Sequence, residues 1–435
     1  MRREPIIMVC TCEIAGRVRG KGFPASELPS RLRKGVGWIP TNTMISALGA
    51  IADTPFGATD DLILVPDPAA RVQVDFQDDS APESFFLGDI RRTDGTPWEG
   101  CPRNFLRRAL DDLQQVAGLR LFAAFEHEFT YGGVEDRPGS PYSLDAYRRQ
   151  GVFGEVLVAA LRQAGVVPDS FLPEFGARQY EVTCEPTLGL RAADDAVILR
   201  EMTRATAHRL GQRVSFTPIH DPNGVGNGVH IHFSFRDPDG RPAMYDPAGP
   251  YGLSEVGQWF LAGVVRHLPA ICALTAPSPV SYIRLRPNRW APTLAYVANQ
   301  DREASLRICP VLTVPGADSG AQFNVEFRST DASASPYLAL GALVHAGVDG
   351  IRNRFELTLV EGVAAMSEEE RLAAGIVPLP ASLAEALDKL EALAVVEQWL
   401  GKTYLNAYLR HKRAELRMVA GLDEAALCTL YGNTY

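Results

Sequence analysis

Short apolar runs separated by turn residues occupy the first hundred positions. "PIIMVC" and "DLILVP" alternate with connections such as "DDSAPES" and "RRTDGTPWEG", a pattern that predicts short strands in a small mixed β domain. At Pro102 the period changes. "PRNFLRRALDDLQQVAG" has Pro in its first turn, apolar residues at Phe105, Leu106, Leu110 and Leu113, and a closing Gly118. This predicts an amphipathic helix and a domain boundary just before it, dividing the chain into 1–101 and 102–435.

Beyond that helix, strand-like stretches ("LRLFAAFEHEFTY", "QYEVTCEP", "GVHIHFSF", "AQFNVEFRS") alternate with helical ones ("DAVILREMTRATAHRLG", "SPYLALGALVHAGVDGIRNRF"). The expected class is α+β rather than doubly wound. No internal repeat is visible. "SEEERLAAG" predicts a solvated helical turn or loop, and the end, "AALCTLYGNTY", is apolar enough to dock.

Composition narrows the class. The 435 residues carry 43 Lys and Arg against 52 Asp and Glu, a net charge of −9, with 46% hydrophobic residues. An acidic chain without basic runs argues against nucleic-acid binding. No segment approaches the roughly 20 apolar residues of a membrane span, and the apolar run after the charged start is too short for a signal peptide. Seven scattered cysteines do not form a disulfide framework, so a reducing cytoplasm is expected, with Cys10 and Cys12 as strand residues.

Acidic residues stand where strands are usually apolar. Glu126 and Glu128 in "FAAFEHEFTY" lie two apart, on one strand face, with Phe125 and Phe129 on the other. Either this edge is solvated, or a cation lies between the carboxylates and relieves their repulsion. The feature recurs: Glu174 and Glu181 in "PEFGARQYEV", His230 and His232 in "GVHIHF", Glu326 beside Arg328 in "NVEFRS". Five carboxylates and an imidazole suit Mg2+ or Mn2+. In "RLRPNRWAP", from Arg284 to Pro292, three arginines in an acidic protein suit one small anion.

In order and spacing these blocks resemble the glutamine synthetase family: the Glu-x-Glu strand, "GARQYE", "GNGVHIH", "REASLRI" and "VEFRSTDASASPYLAL". The resemblance is strong from Pro102 onward and looser before it. It implies a small N-terminal β-grasp-like domain and a large catalytic domain, a curved antiparallel sheet with surrounding helices. It also implies ATP-dependent phosphorylation of the glutamate γ-carboxylate, followed by displacement of phosphate by an amine. By motif position, Glu128, Glu174 and Glu181 hold the metal nearer glutamate, and Glu126, His230 and Glu326 the metal bridging the nucleotide phosphates. Arg302 and Arg307 face the phosphates, and His232 and Ser234 lie near the nucleotide. Arg284 grips the α-carboxylate, Arg328 lies near the γ-carboxylate, and the Gly226 carbonyl meets the amino group. The expected assembly is two stacked hexameric rings with active sites between subunits, for which "LYGNTY" suits a tail docking across rings.

Several positions depart from the family. Trp290 stands where glutamine synthetases place a flap acid that handles ammonium, and "WIPTNTMIS", whose nearest match is Thr41, supplies no second acid. An indole can neither accept a proton nor supply charge. Val225 replaces an asparagine, and Asn324 and Ala321 replace basic residues near the nucleotide. The expected enzyme is therefore a γ-glutamyl ligase for an organic amine, aromatic or bulky and apolar, with Trp290 as a wall of the acceptor pocket. Alternatives are alkylamines or polyamines, a changed acid substrate, a Trp290 that only packs the flap, and a catalytically silent nucleotide-binding family member.

Overall fold

The computed structural model describes residues 3–57, 60–287 and 289–435. Asn288 of the arginine-rich segment lies outside the described residues. The first five strands, β1 Ile6–Cys12, β2 Val18–Pro24, β3 Val36–Trp38, β4 Leu62–Val74 and β5 Glu83–Arg92, form a sheet of order β2-β1-β5-β4-β3. Here β1 runs parallel to β5 and the remaining neighbours are antiparallel. This is the expected mixed β unit. One face packs on the helix Leu28–Lys34 around Trp38 and Phe86, while Cys10, Cys12, Val72 and Leu87 join the main core of the chain.

The helix predicted after Pro102 spans Pro102–Ala117, with proline in its first turn and Gly118 in the left-handed region at φ 68°. Its Arg103 is fully buried and binds three carboxylates: Asp89 of β5 at 2.7 Å, Asp67 of β4 at 2.9 Å and Asp194 at 2.8 Å. Asp194 belongs to the long helix Leu190–Arg209. One guanidinium thus ties the first sheet to the helices beneath the second.

The second sheet comprises β6 Arg120–Tyr131, β7 Pro168–Pro173, β8 Gln179–Cys184, β9 Thr187–Leu188, β10 Val214–Ser215, β11 Val229–Arg236, β13 Val297–Asn299, β14 Leu306–Ile308 and β15 Val325–Phe327. Its order is β13-β14-β15-β11-β6-β8-β7, with β9 and β10 also on β6. A separate ribbon pairs β12 Leu294–Ala295 with β16 Val377–Pro378. Only β13 and β14 pair in parallel among the described strands of the large sheet. Residues of β6 alternate: Leu121, Ala123, Phe125, His127 and Phe129 are buried against helices, leaving Glu126 and Glu128 on the opposite face.

One expectation needs correction. "AQFNVEFRS" is not one strand. Asp318 caps a short helix, Ser319–Gln322, by accepting from the Ala321 N–H at 2.9 Å, and the strand begins only at Val325. The C-terminal "LYGNTY", expected to dock, packs against its own chain. Tyr431 donates to Glu415 at 2.7 Å and Tyr435 to the Ala15 carbonyl at 3.1 Å, both rings being buried with Ile219, Val280 and Ile283. Buried phenols need hydrogen-bond partners, and this chain supplies them.

Candidate active site

Cross-strand register builds the site. Glu128 on β6 faces Glu181 on β8, Glu126 faces His230 on β11, His232 faces Glu326 on β15, and Glu326 faces Arg307 on β14. Five adjacent strands thus lay their charged side chains in one row, because partners across a ladder sit close together. His230 Nδ1 lies 3.0 Å from Glu126 and 3.3 Å from Glu326, and His232 Nε2 lies 3.3 Å from Glu126. Arg307 pairs with Glu326 at 2.9 Å, and Arg328 pairs with its other oxygen.

A cavity of about 630 Å³ opens over this row. It gathers Glu126, Glu128, Glu174, Glu181, His230, His232 and Glu326 with Arg284, Arg302, Arg307, Arg328, Gly226 and Trp290. Ser234 lies apart from it. It lines a neighbouring cavity of about 370 Å³ with Ala321 and Asn324, and the two cavities share Glu126, Glu181 and His232. Arg302 is exposed at the end of its turn.

Electrostatics divides the row in two. At one end, burial and the neighbouring Glu126 and Glu128 push the Glu181 carboxyl up to about 11, and burial and Glu128 raise Glu174 as well. At the other end, burial alone would raise Glu326, but His230, Arg328, His232 and Arg307 hold it down to about 2. Crowded acids with too little countercharge are what a divalent cation relieves. The residues fit such an ion: Glu126, His232 and Glu326 offer ligand atoms within 4.8 Å of one another, and His232 Nε2 is buried without a hydrogen-bond partner. His232, expected at the nucleotide, therefore also belongs to the candidate metal set. Glu174 sits just past β7, where its carboxylate accepts from Tyr142 and from the Phe175 N–H, each at 2.9 Å.

The arginines of "RLRPNRWAP" do not act together. Arg284 is buried and donates to the Thr330 carbonyl at 3.1 Å. Arg286 pairs outward with Glu424, and Arg289 holds the Ile283 carbonyl at 3.0 Å. The glycines of "GNG" allow close approach: a Cβ at Gly226 would lie 2.4 Å from the Pro218 carbonyl oxygen and 2.8 Å from Arg284 Cγ, and one at Gly228 2.5 Å from Arg284 Nη2. Trp290 has φ 51°, a conformation costly for a bulky residue, and 49% of its surface is exposed. Its carbonyl accepts from Arg328 at 3.2 Å.

Sequence reasoning missed three side chains. Gln179 Nε2 donates to Glu128, to the Gly226 carbonyl and to Asn227, at 2.9, 2.9 and 3.0 Å. Its place in "GARQYE" was the available signal. Tyr142 and Phe175 also line the cavity, and nothing in their local sequence marks them.

An acidic row whose residues fit a cation, beside arginines and under one cavity, suits an enzyme that transfers or joins charged groups. Comparison with known proteins is decisive about which. Residues 99–425 match the glutamine synthetase catalytic domain and residues 2–98 the glutamine synthetase N-terminal domain. The chain is 32% identical to a γ-glutamylpolyamine synthetase, GlnA3, of Streptomyces coelicolor, over 98% of this chain and 92% of that protein. It is 31% identical to a glutamine synthetase of Methanocaldococcus jannaschii, over 82% and 79%. A solved structure described as a novel glutamine synthase homolog superposes with a TM-score of 0.93 at 42% identity, covering 100% of this chain and 99% of that one. The fold is also that of GmaS in an ADP complex, with a TM-score of 0.82 at 24% identity and coverage of 96% and 95%. The chain belongs to the glutamine synthetase family and is an ATP-dependent ligase.

Proposed function

We propose that this ligase joins the γ-carboxylate of glutamate to an organic amine with a bulky apolar or aromatic body, through a γ-glutamyl phosphate. The observation that carries the reading is Trp290 against Phe175, ring centroids 4.4 Å apart and 81° between planes, at the wall of the cavity that holds the acidic row. Two aromatic rings at this wall favour an apolar acceptor over ammonium. An aromatic amine is neutral at pH 7 and needs no acid to remove a proton before attack.

In this reading Arg284 holds the α-carboxylate of glutamate and the Gly226 carbonyl its amino group. The Gly226 carbonyl also accepts from Gln179, which fixes its direction. Glu128, Glu174 and Glu181 hold one divalent cation, and Glu126, His230 and Glu326, with His232 beside them, hold another. Bound there, Mg2+ or Mn2+ neutralises phosphate charge. Arg302 and Arg307 bind the phosphates of ATP, with Ser234 in the adjoining cavity, and Arg328 stabilises charge on the γ-carboxyl as it is phosphorylated. The active sites are completed by neighbouring subunits in a ring assembly.

The polyamine synthetase relative favours a second reading, in which a cationic polyamine lies across Trp290 and Phe175 by cation–π contact. Phosphate release with ATP, Mg2+, glutamate and separate amines tests both. Turnover with aniline-type or branched amines supports the first, turnover with putrescine or spermidine alone the second, and turnover with ammonia alone neither.

A further inference from the structure

A third cavity, of about 360 Å³, is lined by Arg178, the residue before Gln179, and among the described residues it is lined by no Asp or Glu. Its walls carry Arg178, Arg204, Arg213, His208 and His220. Arg204 pairs with Glu201 at 2.6 Å and donates to the Tyr435 carbonyl oxygen at 3.3 Å. Arg178 and Arg213 are exposed, and neither they nor the two histidines have a side-chain hydrogen bond or ion pair among the described residues. In a chain of net charge −9, Arg178 and Arg213 bring two guanidinium charges without an ion-pair partner to one concave site, which favours entry of an anion. Desolvation by the surrounding protein and the Arg178 guanidinium both hold the His220 imidazole below its ordinary value, as expected where positive groups crowd one another.

The cavity is connected to the candidate active site. Arg178 has φ 55°, a left-handed conformation that turns the chain between the two cavities. Its carbonyl accepts from the Tyr131 N–H at 2.9 Å, and the next residue is Gln179, bonded to Glu128 at 2.9 Å. Thr130, the cross-strand neighbour of Gln179, accepts from Asn227 at 3.3 Å, and Asn227 in turn accepts from Gln179 at 3.0 Å. Both contacts therefore lead to one amide that touches a carboxylate of the acidic row.

We propose that this basic cavity binds a compact dianion, a phosphate ester or a dicarboxylate, and transmits its occupancy to Glu128 through Gln179. Guanidinium forks recognise both chemistries by paired hydrogen bonds, and ordering Arg178 fixes the turn that positions Gln179.

The test is calorimetric titration of the full-length protein, with Mg2+ and ADP present to fill the phosphate-binding arginines, using sulfate, glycerol 3-phosphate and succinate at constant ionic strength. One or more of these binds the wild type, and the Arg178→Gln/Arg213→Gln variant binds at least tenfold more weakly. Preference between the ester and the dicarboxylate identifies the ligand class. With the best anion present, KM for glutamate moves at least twofold in the wild type and stays put in the variant. Equal binding by the two proteins, no binding by either, or an unmoved KM overturns the proposal. Neither arginine has a side-chain partner to lose, so both proteins should melt alike.

Discussion

Phe175 meets Trp290 edge to face, with ring centroids 4.4 Å apart. The pair brings the loop after β7 into contact with the arginine-rich segment, and in the proposed function it forms the wall that selects the acceptor. Such a pair contributes about 0.5 to 1.5 kcal/mol beyond the area it buries. Phe175→Ala should therefore lower kcat/KM for a bulky amine by about 2- to 13-fold, while KM for ATP is unchanged. Steady-state kinetics against one accepted amine and against ATP check this.

Cation binding should release protons. Glu181 is held up to about 11, far above the roughly 4.3 of a free glutamate, so its carboxyl is protonated at pH 7 when no cation is bound. A divalent ion requires the ionised form, and affinity therefore rises with pH across that window. Titration of Mg2+ in buffers of different ionisation enthalpy should show net proton release, and Glu181→Gln should abolish it. Identical heats in all buffers would contradict the assignment.

Buried histidines set the acid limit of stability. Burial, then Arg108 and Arg352, lower His345 to about 3, and burial and Lys412 lower His411 to about 4. Unfolding restores an ordinary value near 6.5, so the unfolded chain binds the extra protons. Stability is then full above about pH 6.5 and falls as pH drops towards the folded values, by about 1.4 kcal/mol per pH unit for each residue. His345 stacks on Trp399 at 5.7 Å with 8° between planes, so His345→Phe keeps the packing. It should reduce the loss of Tm between pH 6.5 and 5, measured by calorimetry.

Much of the site was legible because it depends on strand period. Glu126 and Glu128 lie two apart on one face, and their repetition in later strands pointed to one acidic row. The helix after Pro102 was marked by its proline and glycine. The Phe175–Trp290 contact was not legible, since no local pattern relates two rings on separate loops. The buried Arg103 escaped for a related reason: three partners from β4, β5 and the helix Leu190–Arg209 satisfy it, and only the tertiary fold assembles them. The C-terminal tail was legible as a segment that docks, because its end is apolar, but its partners within the chain are set by the tertiary fold.

Arg103 supplies a stability test independent of catalysis. Removing one partner of a buried ion-pair network leaves the others unpaired, at a cost of about 3 to 5 kcal/mol. Arg103→Ala should lose that much in denaturant unfolding. Arg91→Ala, whose side chain is 42% exposed beside the same Asp89, should lose less than about 1 kcal/mol.

The most direct test of Trp290 as the determinant of acceptor choice is the ratio of kcat/KM for an organic amine to that for ammonia, in the wild type and in Trp290→Glu. The wild type should favour the organic amine strongly, and the acid should shift the ratio towards ammonia by at least tenfold with KM for glutamate unchanged. A wild type that uses ammonia best, or a ratio that Trp290→Glu leaves unmoved, would contradict it.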